Sequence, residues 1–175
     1  MRTRLMSQTS PNFILLHYDL TTTSVRNVFV VPKHFFVPEI IERKKPLAPT
    51  AKRAGWVGCN ILLDRIPHSG RIYIVRDSVP QQRDAVVAQW RRTLFLREKG
   101  QEARGWLIEV MACVESLESS EFSLGEMYAF EEHLRSIYPD NNNIRPKIRQ
   151  QLQFLRNDGY LDFVGNARYR LKFPT

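Results

Sequence analysis

Cysteine is nearly missing. Cys59 and Cys113 are the two in the chain, neither lies in a CxxC pair, and together they cannot build a metal-binding cysteine cluster. Both are read as buried thiols, a usage that suits a reducing cytoplasm. No apolar run is long enough to span a bilayer, which excludes a membrane helix. The opening MRTRLMSQTS lacks the apolar core of a secretory signal. His17, His34, His68 and His133 have no ligand-like spacing, so no metal site is assigned from them. Negative charge is also scarce, with 18 Asp and Glu against 26 Lys and Arg.

The charge is unevenly placed. Residues 1–99 carry 17 basic and 7 acidic side chains, residues 100–140 carry 2 and 9, and residues 141–175 carry 7 and 2. Two basic segments around an acidic one suggest two separate faces for a polyanion. Solubilising surface lysines would not change sign so abruptly near residue 140.

Residues 46–60, PLAPTAKRAGWVGCN, pack two prolines, two glycines, three alanines, Lys52, Arg53 and the single Trp56 into one segment. Pro and Gly at that density mark a loop. Lys52 and Arg53 offer phosphate contacts and Trp56 offers a flat apolar face. The competing reading is a surface turn whose tryptophan tucks into its own core.

The chain divides into two blocks, 1–101 and 102–175. In the first, PNFILLHY (11–18), NVFVVPK (27–33) and RIYIV (71–75) read as strands, and 82–99 has helical spacing through Val86, Trp90 and Leu94. Three or four strands and one helix cannot cover both faces of a sheet. The second block reads as a winged helix. Its first helix is expected over 103–117, with Trp106, Val110, Cys113, Val114 and Leu117 on one stripe. The second opens on a capping box, Ser123 and Glu126, and buries Met127, Phe130, Leu134 and Ile137. Asn143 and its neighbours cap a third helix over 144–158, and a two-stranded wing follows, turning at Gly165-Asn166.

At 100° per residue, Ile144, Ile148, Leu152 and Leu155 share the core side of the third helix. Pro146, Gln150 and Gln153 lie opposite, with Arg145, Arg149 and Arg156 on one flank and Lys147 on the other. Such a face suits a major groove, where Gln can read adenine and Arg guanine, or where arginines grip phosphates. No acidic residue falls between Asn141 and Asn157, whereas a merely solvated face mixes both signs. In the wing, Arg168, Arg170 and Lys172 alternate along a strand and share a face, as backbone contacts would.

APTAKRAGWVGCN, with NVFVVPKHFFVPEIIERKKPL before it and GRIYIV after it, resembles the DpnI-type methyl-directed restriction endonucleases and their Dam-replacing relatives. The likeness resumes in RGWLIEVMACVESLESSEFSLGEMYAFE and IRPKIRQQLQFLRNDGYLDFVGNARYRL, and so runs from about Pro11 to Leu171. It implies an α+β architecture: a partial endonuclease-like mixed sheet over 1–101, then a winged-helix domain over 102–175. It implies binding of double-stranded DNA at GATC sites carrying N6-methyladenine. It places the methyl-sensing tryptophan on Trp56 and the site-reading group on Asn143, Arg145, Lys147, Arg149 and Gln150. It also implies a monomer in the bacterial cytoplasm.

The family's nuclease centre, an Asp with a Glu-x-Lys holding magnesium, and its two CxxC pairs holding a structural zinc, both precede the region matched here. The chain is therefore read as the C-terminal part of such an enzyme. It is expected to bind DNA without cutting it alone, to hold no cofactor itself, and to expose a sheet face within residues 1–99. Glu42-Arg43-Lys44 has Glu-x-Lys spacing, but Glu39 lies too close before it to place the two carboxylates on separate strands. No catalytic residue is assigned. The rival readings are a free-standing winged-helix methyl-DNA reader or regulator, and a winged helix that binds protein.

Overall fold

The computed structural model describes residues 11–173. The opening MRTRLMSQTS falls outside them, as do the last two residues of the second block. β1 (Phe13–Asp19) and β2 (Ser24–Val31) pair antiparallel, as their β-rich composition predicts. β3 (Ile41–Arg43) and β4 (Cys59–Ile61) form a small separate hairpin. β5 (Ile72–Arg76) and β6 (Val79–Pro80) extend the main sheet to the order β1-β2-β5-β6. The expected mixed sheet is antiparallel in every pair described here. For β1–β2 and β5–β6 the reason is a tight turn without room for a crossover, whereas residues 32–71 lie between β2 and β5. Asp77 and Ser78 both take positive φ (50° and 65°) to make the second turn.

Among the described residues, one face of this sheet lacks cover. Ile14 is 64% and Leu16 59% exposed, and Tyr18 and Ile74 are exposed too. The sequence leads to that expectation, because the block contributes a single helix to a two-faced sheet. That helix, α1 (Arg83–Arg92), is shorter than the 82–99 predicted. It stops where the buried Thr93 hydroxyl donates to the Trp90 carbonyl (3.0 Å) and meets His34 Nε2 (2.9 Å). A 3-10 turn, Leu94–Glu98, follows and drives Leu96 into the core.

α2 (Gln101–Ser116) is the spine of the molecule. The expected single stripe is a correction: Trp106, Leu107, Ile108, Glu109, Val110, Met111, Cys113, Val114 and Glu115 are all buried, which covers the helix all round. A helix hydrophobic on every side belongs at the centre of a core. One continuous apolar cluster runs from Phe29, Phe35 and Ile40, through α2, to Phe122, Leu152 and Tyr169. The two blocks therefore share a core. Polar groups tie the same seam: the Glu115 carboxylate accepts from Tyr160 Oη (2.6 Å) and from the Ser69 backbone N–H (3.2 Å).

Beyond the spine come β7 (Glu121–Ser123), α3 (Leu124–Tyr128), α4 (Glu131–Ile137), α5 (Ile144–Asn157), β8 (Leu161–Gly165) and β9 (Arg168–Leu171). The capping box at Ser123 and Glu126 is formed in both directions. The predicted second helix is two short ones, α3 and α4. The predicted two-stranded wing has three strands in the order β7-β9-β8, because Glu121–Ser123 joins its edge. Its turn centres on Asn166 and Ala167 (φ 48° and 56°), one residue later than the sequence suggests. Helix, edge strand, helical pair, helix and the β8–β9 hairpin complete a winged helix-turn-helix.

Candidate nucleic-acid interface

Trp56 stands on a loop whose shape comes from main-chain bonds. The β3–β4 hairpin continues outward through Lys44 N–H to Gly58 O (3.0 Å), Leu47 N–H to Trp56 O (2.9 Å) and Gly55 N–H to Leu47 O (3.2 Å). At the tip, Trp56 N–H donates to Arg53 O (3.0 Å) across a turn whose third residue is Gly55 at φ 78°. Only glycine enters that region without strain. Lys52 and Arg53 sit exposed beside it. The indole is 54% exposed, so it is not tucked into a core. It lies over Gly58, where an added Cβ would come within 3.0 Å of the ring. A bare backbone supports one side of the ring and the rest faces solvent.

α5 carries the other predicted face. Ile144, Ile148, Leu152 and Leu155 are buried, as their spacing requires. Arg149 and Gln150 are exposed at mid-helix. Lys147 is half-buried, with its ammonium 5.5 Å above the Trp106 ring, which itself stacks on Tyr138 at 3.8 Å. Asn143 does not cap with its side chain, a correction; its backbone N–H instead bonds Asn141 Oδ1 (2.8 Å), leaving the side chain exposed. Arg145 is held: its Nε donates to Glu131 Oε2 at 2.6 Å and its guanidinium lies 5.1 Å from the Tyr128 ring centre.

On the wing, Arg168 is exposed next to the turn. Arg170 also points outward, but its Nε donates to Glu121 Oε1 at 2.7 Å, and Lys172 pairs with Asp162 at 3.6 Å. The wing cations do share one face, and two of the three are already partnered.

Sequence reasoning misses Glu131 and Tyr128. Glu131 accepts from Arg145 and also from Arg135 Nη2 at 2.9 Å. These bonds hold the Glu131 carboxyl below the usual carboxylate range, the Arg145 bond most strongly. No local motif announces a contact across 14 residues.

Among the described residues, no three His, Cys, Asp or Glu side chains gather in one place. Glu42 instead accepts from Asn60 Nδ2 at 2.8 Å, and burial pushes the Cys113 thiol up to about 12. Among the described residues no helix is long and apolar enough to cross a membrane.

A winged helix whose third helix is basic, joined through a common spine to a small antiparallel sheet, defines a DNA-binding protein of the helix-turn-helix class. Residues 1–99 match the Dam-replacing family and residues 102–171 match the Dam-replacing HTH domain. The chain belongs to the Dam-replacing family.

Proposed function

We propose that this chain reads GATC sites carrying N6-methyladenine in double-stranded DNA, as the recognition part of a type II restriction endonuclease acting in the bacterial cytoplasm. On this reading it binds as a monomer and supplies no cutting chemistry alone. The observation that carries the proposal is the exposed Trp56 indole on a basic loop. Adenine N6-methyl groups are apolar and protrude into the major groove. Covering one with an indole face is worth about 1 kcal/mol, on the scale of a buried methyl. Lys52 and Arg53 beside it would hold the backbone. Asn143, Arg145, Lys147, Arg149 and Gln150 would enter the groove, with Arg168 and Arg170 bracing the wing against phosphates.

The test is fluorescence anisotropy against two duplexes that differ only in N6-methylation of GATC, at fixed moderate salt without metal. Tighter binding to the methylated duplex is expected. Equal binding would reduce the protein to a basic winged helix without methyl recognition.

A further inference from the structure

The exposed arginines of α5 are held differently, and that difference assigns one of them a role. Arg149 makes no ion pair or ring contact among the described residues, so it is a long flexible cation suited to a phosphate. Arg145, one turn earlier, is fixed on two sides. Glu131 takes its Nε at 2.6 Å, and the Tyr128 ring lies 5.1 Å from its guanidinium carbon. Glu131 is anchored in turn by Arg135 Nη2 at 2.9 Å, within the same helix α4. Among the described residues nothing bonds the Nη1 and Nη2 atoms of Arg145. The plane of the fork is set, and its terminal edge is left open.

That edge matches the paired O6 and N7 acceptors of guanine in the major groove. A phosphate partner fits less well, because the Glu131 carboxylate at Nε would repel it. Arg145 also lies in the first turn of α5, where the helix dipole disfavours a cation, and Glu131 offsets that cost. Fixing the fork beforehand lowers the entropy lost when it docks. We infer that Arg145 reads a guanine of the target site through its Nη1–Nη2 edge, with Glu131 and Tyr128 as positioning residues that hold the fork for it. The inference rests on α5 entering the major groove, as the proposed function requires.

The experiment uses the full chain and anisotropy on methylated GATC duplexes in which the guanines are replaced. 7-Deazaguanine keeps O6 and base pairing but removes N7. Inosine keeps both major-groove acceptors and loses only the minor-groove amine. Wild type should lose roughly tenfold in affinity with 7-deazaguanine, and less than about twofold with inosine, as expected of one bond lost from a bidentate pair. Arg145→Ala should bind the guanine duplex more weakly and respond to 7-deazaguanine by less than about twofold. Glu131→Gln, nearly isosteric, should keep the fold but shrink the 7-deazaguanine penalty to about threefold, a coupling to a single base atom that a merely structural role would not produce.

A wild type indifferent to 7-deazaguanine, or an Arg145→Ala protein with the full penalty, would overturn the guanine assignment. A full penalty in Glu131→Gln would overturn the positioning role. Methyl preference without any N7 dependence sinks this inference and leaves the proposed function standing. N7 dependence without methyl preference does the reverse. Absence of binding to every duplex sinks both.

Discussion

The Trp56 loop and helix α5 both offer basic, exposed surfaces, but they are held by different means. The loop, residues 44–58, is shaped by backbone hydrogen bonds and one left-handed glycine, and its tryptophan gives little to the core. α5 buries four aliphatic side chains and has its first arginine clasped by a neighbouring helix. Where recognition is carried by a loop, binding and stability separate; where it is carried by a core helix, they are entangled.

The sharpest way to break this contrast is at Leu152. Leu152→Ala should cost about 2–5 kcal/mol of folding free energy through the cavity it leaves, and thermal unfolding should show it. An unaltered melting temperature would mean that α5 is not core-anchored. The next effect lies at the seam between the regions. Burial, with a smaller push from Glu39 and against the pull of Arg65, raises Glu109 from 4.5 to about 7. The folded protein then keeps a proton that the unfolded chain releases above 4.5, so stability falls as pH rises through 4.5 to 7. The loss approaches roughly 3 kcal/mol above that window. Glu109→Gln should remove this slope in denaturant titrations at pH 5 and pH 8. His34, held by burial down at about 4, contributes the opposite slope between 4 and 6.5 in both proteins and cancels in the comparison.

The loop should behave in the other manner. Trp56→Ala should abolish methyl preference, about 1 kcal/mol for each methyl covered, while the melting temperature stays nearly constant. Equal loss on methylated and unmethylated duplexes would assign the indole a structural role instead. The smallest effect is expected from Gly58→Ala. Its new methyl would crowd the indole at 3.0 Å and shift it by tenths of an ångström. Methyl discrimination should weaken about twofold, with unmethylated DNA bound as before. If discrimination survives intact, the seating of the ring on Gly58 does not matter.

Much of this architecture could be read from the residues, and the failures have identifiable causes. The face of α5 was legible because its apolar residues repeat faithfully over four turns. The capping box was legible because both partners are three residues apart. The hairpin β3–β4 was not, since three-residue strands such as IER and CNI are too short to show alternation. α2 misled because Trp106, Val110, Cys113 and Val114 do form a stripe, yet Leu107, Ile108 and Met111 fill the other side. On α5, residue spacing put Arg145 and Arg149 on the exposed side, where both lie. Spacing could not tell Arg145, clasped by Glu131, from Arg149, because that distinction depends on where α4 lies relative to α5.

The all-round burial of α2 also governs how the molecule can come apart. An element that supplies core to both sides cannot be released by either side alone. Amide protons in β2 and in α5 should therefore exchange through the same rare, global opening, not through separate local ones. If they do, residue 101 is no hinge, and the spacing between the indole and the arginine fork is a built-in length of the protein.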